Sequence, residues 1–158
     1  MRSCLARASS INRRRKGKNP DVARLLRLTA SGPCEEMADL FAEDAVFEFP
    51  FQLPGRAQEE QDRETFRAHL NAGAQLQRFE SVDDIEIHRT TDPETVIAEY
   101  RLQGRVTATG KQFTSQVVMV ARVRDGLITW SRNYSNPLDS VIAFGVVDDL
   151  VAGLTAGT

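Results

Sequence analysis

The fold is decided by one stretch, Thr95 to Pro137, which reads TVIAEYRLQGRVTATGKQFTSQVVMVARVRDGLITWSRNYSNP. Three segments rich in Val, Ile, Thr, Tyr and Phe are separated there by two turn signals, at Thr109-Gly110-Lys111 and Arg124-Asp125-Gly126. The middle segment is almost continuously apolar from Gln116 to Ala121, which is typical of a strand covered on both faces. The stretch therefore predicts a strongly bent antiparallel sheet with a pocket on one face and a partner on the other.

The residues before this stretch predict three helices and two further strands. Helix entries are indicated near Pro20, Glu35 and Asp62, and strands over Ala45–Phe51 and Val82–His88. The order is helix, helix, strand, helix and four strands. It predicts an α+β domain in which about three helices from the N-terminal half lie against one face of the sheet.

Alternation in the first predicted strand indicates which side chains face the core. Phe47, Phe49 and Phe51 fall on one face, and Glu48 falls on the other. Pro50 has no N–H to offer a neighbouring strand, so it predicts an edge position or the end of the strand.

Length and composition indicate one globular domain, because the chain has 158 residues with 41% hydrophobic and 27% charged side chains. We expect a basic arm over residues 1–19, a folded domain over 20–145 and a tail over 146–158. No apolar run reaches the roughly 20 residues that span a bilayer, and no signal-peptide core is visible, so a cytoplasmic location without membrane contact is expected. The placement of Cys4 and Cys34 does not suggest a disulfide.

Charge is distributed unevenly along the chain. Residues 1–19 carry seven basic and no acidic side chains, which leaves 13 basic and 22 acidic side chains in residues 20–158. A domain with a net charge of −9 repels nucleic acid, so a polyanion is expected to bind only through the arm, if at all. The Arg-rich, Ser-bearing, acid-free arm also fits a disordered extension or a targeting peptide, and the sequence leaves these readings open.

Three segments carry a family likeness: LFAEDAVFEFPF (Leu40–Phe51), TATGKQF (Thr107–Phe113) and RDGLITWSRNYSNP (Arg124–Pro137). They resemble the SnoaL-like and ketosteroid-isomerase-like superfamily, whose cone-shaped fold is shared with nuclear transport factor two, and the likeness covers about residues 20–145. The resemblance implies a cone in which a bent sheet wraps around the helices. It does not imply one function, because this fold hosts isomerases, cyclases, hydrolases, binding modules and scaffold proteins.

The resemblance allows the catalytic groups of the isomerases to be placed on this chain. Ketosteroid isomerases have an Asp base before the proline of the first strand, where this chain has Phe49. Their oxyanion hole uses a Tyr on the first helix and a protonated Asp on the penultimate strand, and these positions fall on Leu25 and Met119. Proton transfer beside a carbonyl needs a base and a hydrogen-bond donor. Phe, Leu and Met supply neither, so an isomerase of that type is not expected.

The catalytic positions of two other enzyme classes of the superfamily also hold different residues in this chain. The Arg and Asp positions of the epoxide hydrolases fall on Tyr100 and Leu102, and their second Asp falls on Asn133. Polyketide cyclases have their proposed acid/base Asp in the same last-strand region. Asn does not accept a proton at neutral pH, so both chemistries are disfavoured.

We therefore expect an apolar ligand pocket with few polar anchors, in a protein that binds a small apolar or aromatic molecule without a demanding proton transfer. The predicted lining residues are Leu25, Phe47, Phe49, Phe51, Tyr100, Leu102, Met119, Ser131 and Asn133. Among them Tyr100, Ser131 and Asn133 are expected to orient the ligand or simply to hydrogen-bond one another. No cofactor and no metal are expected, since His69 and His88 have no further ligand-type residue at metal-site spacing.

The facing of the last two strands depends on the turn at residues 124–126. A three-residue loop with Gly126 in the left-handed region puts Met119 on the same face as Ser131 and Asn133, whereas a two-residue turn puts them on opposite faces. We expect the three-residue loop because it agrees with both sites carried over from the family. The outer face then carries Val118, Val120, Trp130 and Tyr134. An exposed face of that kind predicts a homodimer interface.

Two rival functions stay open. One is a cyclase- or isomerase-like enzyme whose acid/base residue has moved, with Glu48 and Glu99 as the first candidates. The other is a protein-interaction module that works through the outer sheet face or the basic arm, whose partner is lost on removal of residues 1–19 or on Trp130→Ala. A carboxyl or imidazole group inside the cone would favour the enzyme.

Overall fold

The fold is described by a computed structural model over residues 20–30, 35–53 and 59–156. The helices in these ranges are α1 (Pro20–Thr29), α2 (Glu35–Ala38), α3 (Arg63–Leu76), α4 (Pro137–Phe144) and α5 (Val147–Ala156). The strands are β1 (Phe41–Glu48), β2 (Glu59–Gln61), β3 (Gln77–Arg89), β4 (Thr95–Val106), β5 (Gln112–Arg124) and β6 (Leu127–Ser135).

The strands form one mixed sheet in the order β2-β1-β6-β5-β4-β3. Neighbouring strands are antiparallel except for β1 and β6, which run parallel with Val46 opposite Trp130 and Phe47 opposite Ser131. The predicted α+β class is confirmed, but the prediction of a purely antiparallel sheet is wrong at this pair. The chain passes through α3 and three long strands between β1 and β6, and so long a connection allows parallel neighbours.

α1 forms because its apolar residues recur on one side of a ten-residue helix. These side chains are at most 5% exposed and belong to the core: Val22, Leu25, Leu26 and Leu28. The predicted apolar face is therefore confirmed. The hydroxyl of Thr29 donates to the carbonyl oxygen of Leu25 at 2.9 Å at the end of the helix. The predicted stop at Ser31-Gly32-Pro33 lies outside the described residues.

β1 begins and ends earlier than the sequence predicts. α2 is a single turn, and Phe41 begins the strand instead of lying in a helix. The N–H of Ile128 in β6 donates to the carbonyl oxygen of Leu40 at 2.9 Å, so pairing with β6 competes successfully with helix formation. The strand ends at Glu48, shortly before Pro50, which has no N–H to continue the ladder.

Phe51 lies outside the cavity wall, contrary to the prediction. Its side chain is 60% exposed, and its ring packs edge-on against Tyr134 with 5.6 Å between the centroids. Alternation by twos fixes the facing of side chains only inside a strand, and β1 has ended before this residue. Phe47 lies within the strand and keeps its predicted inward position, with 1% of its surface exposed.

α3 begins at the predicted cap. Oδ1 of Asp62 accepts a hydrogen bond from the N–H of Thr65 at 2.7 Å, and this bond holds the pKa of Asp62 below its ordinary value. The spacing of Phe66, Leu70 and Ala74 in the sequence predicts one apolar helix face. Phe66 and Leu70 do face the core, whereas Ala74 is exposed. The helix packs against α2, β1 and β3 and so lies over the concave side of the sheet.

The turn between β5 and β6 has two residues, not the predicted three. Asp125 and Gly126 have φ angles of 52° and 80°, the two positive values that a type I′ turn requires. The register then shifts between Arg122 and Val123, where Thr129 is an extra residue in β6. The two-residue turn alone would put the side chains of β6 on the opposite faces from those predicted. The bulge reverses the facing again, so the predicted facing is found, but for a different reason.

The sheet accordingly has an inner face toward the helices and an outer face on the opposite side. Met119 pairs with Asn133 on the inner face, and the neighbouring pair of Val118 and Tyr134 lies on the outer face. Met119 is 2% exposed and Val118 is 37% exposed, which shows directly which face is covered.

α4 and α5 follow β6, and α4 packs against β5. The side chain of Asn136 caps α4 by accepting from the N–H of Leu138, and Gly145 ends it in the left-handed region. The Ser115 hydroxyl on β5 donates to Oδ2 of Asp139 at 2.9 Å, which ties α4 to the sheet. Within residues 20–30, 35–53 and 59–156, no helix combines the length and apolar character needed to cross a membrane.

Candidate functional site

A cavity of about 330 Å³ lies between the helices and the inner face of the sheet. Helices α1, α2 and α3 and strands β1, β3, β4, β5 and β6 all contribute to its wall. The lining residues are Leu25, Thr29, Met37, Phe41, Phe47, Phe49, Phe66, His69, Leu70, Gly73, Gln77, Phe79, Tyr100, Leu102, Val117, Met119, Ser131, Asn133 and Ser135. The volume is at the lower end of the range of cavities that hold small organic molecules.

Aromatic rings form one wall of this cavity. Phe47 stacks on Phe66 with 4.2 Å between the ring centroids, and Phe41 lies 4.7 Å from Phe47 and 5.1 Å from Phe66. The three rings come from β1 and α3, so their contacts also fix the helix on the sheet. Such a wall is suited to a flat apolar ligand, because offset and edge-on ring contacts add to the burial of area.

Apart from His69, the polar groups of the wall are neutral hydrogen-bonding side chains. Burial raises the pKa of Tyr100 well above its ordinary value, so its hydroxyl stays protonated and remains a donor. Nδ2 of Asn133 donates to Oγ of Ser131 at 3.4 Å, and Ser131 is 1% exposed. Within the described part of the chain, the lining includes no Asp, Glu, Lys or Arg.

His69 is the lining residue with chemistry that the sequence analysis missed. It lies on α3 between Phe66, three residues before it, and Gly73, four residues after it, which also line the cavity. That spacing is one helix face, so the signal was present in the sequence once Phe66 and Leu70 were placed inward. The residue is exposed, and its imidazole brings a hydrogen-bonding group to the cavity.

The structure brings together eight of the nine predicted lining residues, and Phe51 is the exception. Phe49, Leu25 and Met119, which occupy the positions of the isomerase catalytic groups, all contribute apolar wall. Their contact with a ligand stays a prediction.

The two carboxylates that were the first candidates for a relocated acid/base residue lie on the outer face. Glu48 accepts hydrogen bonds from Nε1 of Trp130 and Nε of Arg132, and the bond from Arg132 is the main reason that the pKa of Glu48 is below its ordinary value. Glu99 lies 2.9 Å from Nε2 of His88 on the neighbouring strand. Neither lines the cavity, so the assignment of a cavity base to Glu48 or Glu99 is wrong.

The outer face carries the four residues predicted for a homodimer interface, Val118, Val120, Trp130 and Tyr134. The guanidinium groups of Arg122 and Arg132 lie 5.6 Å and 5.0 Å from the ring of Trp130. The indole thus lies close to two cations and donates to Glu48, and these contacts fix its orientation on the surface.

A second hollow, of about 270 Å³, lies at the turn between β3 and β4. Its polar groups bond one another: Oγ1 of Thr95 donates to Oδ2 of Asp92 at 2.7 Å, and Oγ1 of Thr90 donates to the Asp92 carbonyl at 2.8 Å. No group of three or more His, Cys, Asp or Glu suited to a metal ion occurs in the described ranges. The cavity under the helices is therefore the stronger candidate site.

A bent sheet closed by helices over an apolar cavity defines a cone-shaped domain. Comparison with protein families identifies the family to which this domain belongs. The family model described as SnoaL-like domain matches residues 22–131, so the chain belongs to the SnoaL-like family. The resemblance stated from the sequence is confirmed.

Individual relatives agree with this assignment. A PhzA/B-like protein of Pseudomonas aeruginosa is 34% identical over 125 residues, which are 78% of this chain and 86% of the relative. A solved structure named as an isomerase from Bacillus subtilis is 27% identical, covers 80% of this chain and 91% of that one, and has a TM-score of 0.75. A protein with a ketosteroid-isomerase-like fold from Catenulispora acidiphila is 16% identical over 79% of this chain and 92% of its own, with a TM-score of 0.63.

Proposed function

We propose that this protein binds a small, flat, largely apolar molecule in the cavity under its helices. One observation carries the proposal: a cavity of about 330 Å³ has aromatic and aliphatic walls and no described charged carboxylate, ammonium or guanidinium group. An ionised ligand would lose its hydration there without gaining an ion pair, which costs free energy. A neutral ligand loses little and gains the burial of its apolar area.

The polar side chains favour a ligand with a neutral acceptor oxygen, such as a ketone. Tyr100 remains a donor because burial keeps its hydroxyl protonated, and the amide of Asn133 has two N–H groups, of which Ser131 accepts one. A ligand that lies on Val117 and Met119 has Tyr100 on one side and Asn133 on the other, since β4 and β6 flank β5.

Three compounds with one ring system test this proposal: 9-fluorenone, fluorene and fluorene-9-carboxylate. We expect isothermal titration calorimetry to rank the ketone above the hydrocarbon and the hydrocarbon above the carboxylate. Tyr100→Phe should weaken the ketone about fivefold and leave the hydrocarbon unchanged, because one neutral hydrogen bond is lost. Tyr134→Phe, on the outer face, is the matched control and should change neither.

Binding of none of the three compounds, or tightest binding of the carboxylate, would contradict the proposal. Phe49→Asp adds a charge to the same wall and should abolish binding of the ketone while the protein stays folded, which circular dichroism checks.

We further propose that the outer face forms a homodimer. The support is a surface that joins Val118, Val120 and Tyr134 to the fixed Trp130, a composition typical of interfaces. Val120→Asp should convert a dimer to a monomer in sedimentation velocity at micromolar concentration, because a buried unpaired charge is costly. Thr114→Asp, on the same strand and face but exposed, is the control. A wild-type protein that sediments as a monomer would refute this interface.

A second candidate function, an isomerase- or cyclase-like activity, is favoured by His69. The name of the Bacillus subtilis structural neighbour, an isomerase, also supports an isomerase-like activity. An imidazole at the cavity can take a proton from the carbon beside a bound carbonyl while the electron pair moves to the oxygen, which accepts a hydrogen bond from Tyr100. Return of the proton to a carbon completes the cycle.

Deuterium uptake at the carbon beside the carbonyl of 1-tetralone in D₂O, followed by NMR, tests the second candidate. Wild type should exceed the buffer rate, and His69→Gln should return it to that rate while 9-fluorenone still binds. His88→Gln, which changes the chain's other histidine, should have no effect. An unchanged rate in His69→Gln would remove this candidate and leave the binding proposal intact.

A further inference from the structure

Gly73 is an unusual residue on the helix wall of the cavity. α3 presents Phe66, His69, Leu70 and Gly73 to the cavity, and of these four only Gly73 has no side chain to contribute. A glycine inside a helix is destabilising relative to alanine, since it loses more backbone freedom on folding. A glycine in such a place therefore calls for a physical reason.

Neither the backbone nor close packing supplies that reason. Gly73 is not among the glycines with positive φ, and its carbonyl oxygen accepts the N–H of Gln77 at the end of the helix. A Cβ built on Gly73 meets no atom within 4 Å. Gly104 in β4 is different, because a Cβ there would lie 2.5 Å from the ring of Phe113.

We propose that Gly73 determines the size of the ligand by leaving room along α3. The inference rests on the proposed binding function and adds a specificity-determining residue to it. Any side chain on Gly73 projects into unoccupied space at the cavity and reduces its volume of about 330 Å³. The bare backbone thus admits a ligand with one ring more than a larger residue would allow.

The test compares Gly73→Leu with Gly153→Leu. Gly153 is a helical glycine in α5 whose added Cβ also meets nothing within 4 Å, and it does not line the cavity. Calorimetry with 1-tetralone, which has two fused rings, and 9-fluorenone, which has three, measures size preference. We expect Gly73→Leu to weaken 9-fluorenone at least about tenfold and 1-tetralone less than about twofold, because only the longer ligand loses its space. Gly153→Leu should leave both affinities unchanged.

An equal loss of both ligands, or no loss of either, in Gly73→Leu would overturn the inference. Failure of the binding proposal has a different signature, since wild type itself would then bind neither ketone. Gly73→Ala checks that the position is free of strain: its melting temperature should rise by about 2 to 4 °C. A fall in that temperature would show that the helix itself requires the glycine and would also overturn the inference.

Discussion

At the scale of single residues, Gly104 shows how a missing side chain lets the ring of Phe113 and the backbone of β3 lie close to β4. A Cβ on this residue would lie 2.5 Å from Cζ of Phe113 and 2.8 Å from the carbonyl oxygen of Arg78. We expect Gly104→Ala to lower the free energy of unfolding by about 1–3 kcal/mol, because ring and backbone must both shift. Urea denaturation measures this, with Gly73→Ala as the comparison, for which the change has the opposite sign. Equal stabilities for the two variants would contradict the contact.

Glu48 connects surface packing to pH. Its hydrogen bonds from Arg132 and Trp130 hold the pKa of the Glu48 carboxyl in the folded protein below the ordinary value of 4.5. The stabilisation is therefore fully present above that value and is lost as the pH falls through the folded pKa. Glu48→Gln should be less stable than wild type at about pH 7, and thermal melts should show this difference shrinking as the pH falls below 4.5. Glu86→Gln is the control on an exposed position of β3, and a pH-independent gap for Glu48→Gln would argue against the ion pair.

The apolar lining residues inside helices and strands were predictable from periodicity, whereas of Phe49 and Phe51, both beyond the end of β1, only Phe49 lines the cavity. Leu25, Phe47 and Met119 followed from periodicity and from the family pattern. Phe51 did not, because β1 stops at Glu48 and alternation says nothing past a strand's end. His69 is missed when it is considered only as a metal ligand, although its spacing from Phe66 and Leu70 places it on the cavity face of α3.

At the scale of elements, the turn at Asp125 and Gly126 sets the phase of β6. Gly126 has a φ of 80°, a conformation that costs other residues about 1–2 kcal/mol. Gly126→Ala should therefore lower the free energy of unfolding by about that amount in urea titrations, whereas Gly153→Ala in α5 should not lower it. A neutral Gly126→Ala would mean that the turn is not of this type.

The facing of the β6 side chains depends on features that the sequence alone does not reveal. The loop length was chosen to satisfy the family pattern, and the actual turn is one residue shorter. Thr129 compensates as a bulge, and bulges leave no reliable mark in a single sequence because they depend on the partner strand. The shorter turn and the bulge each shift the pairing by one residue in the same direction, so the facing of β6 is as predicted although Met119 pairs with Asn133 and not with Ser131.

At the scale of the whole molecule, the division of charge predicts how the chain behaves on a polyanion. Residues 1–19 carry seven positive charges and the rest carries −9. The full chain should be retained on immobilised heparin at low salt and released as salt rises, while a chain of residues 20–158 should pass through. Equal retention of both would place the cationic surface on the domain instead.

The overall topology was predictable because local signals and a family pattern agreed on helices, hairpins and a bent sheet. The parallel contact of β1 with β6 was not, since it joins residues such as Val46 and Trp130 that lie far apart in the chain. Contacts of that kind are set by how all the elements fit together, which no local window contains.

Trp130 is the single tryptophan of the chain, and its strand neighbour Ser131 lines the cavity. Its fluorescence can therefore report on both sides of β6. The indole lies on the outer face, where a second copy would dock, and the ligand cavity lies on the opposite face of the same strand. Association should change the polarity around the indole and shift the colour of its emission, whereas a guest with overlapping absorbance should dim it without such a shift. A single fluorescence titration can therefore distinguish dimer formation from ligand binding without a label.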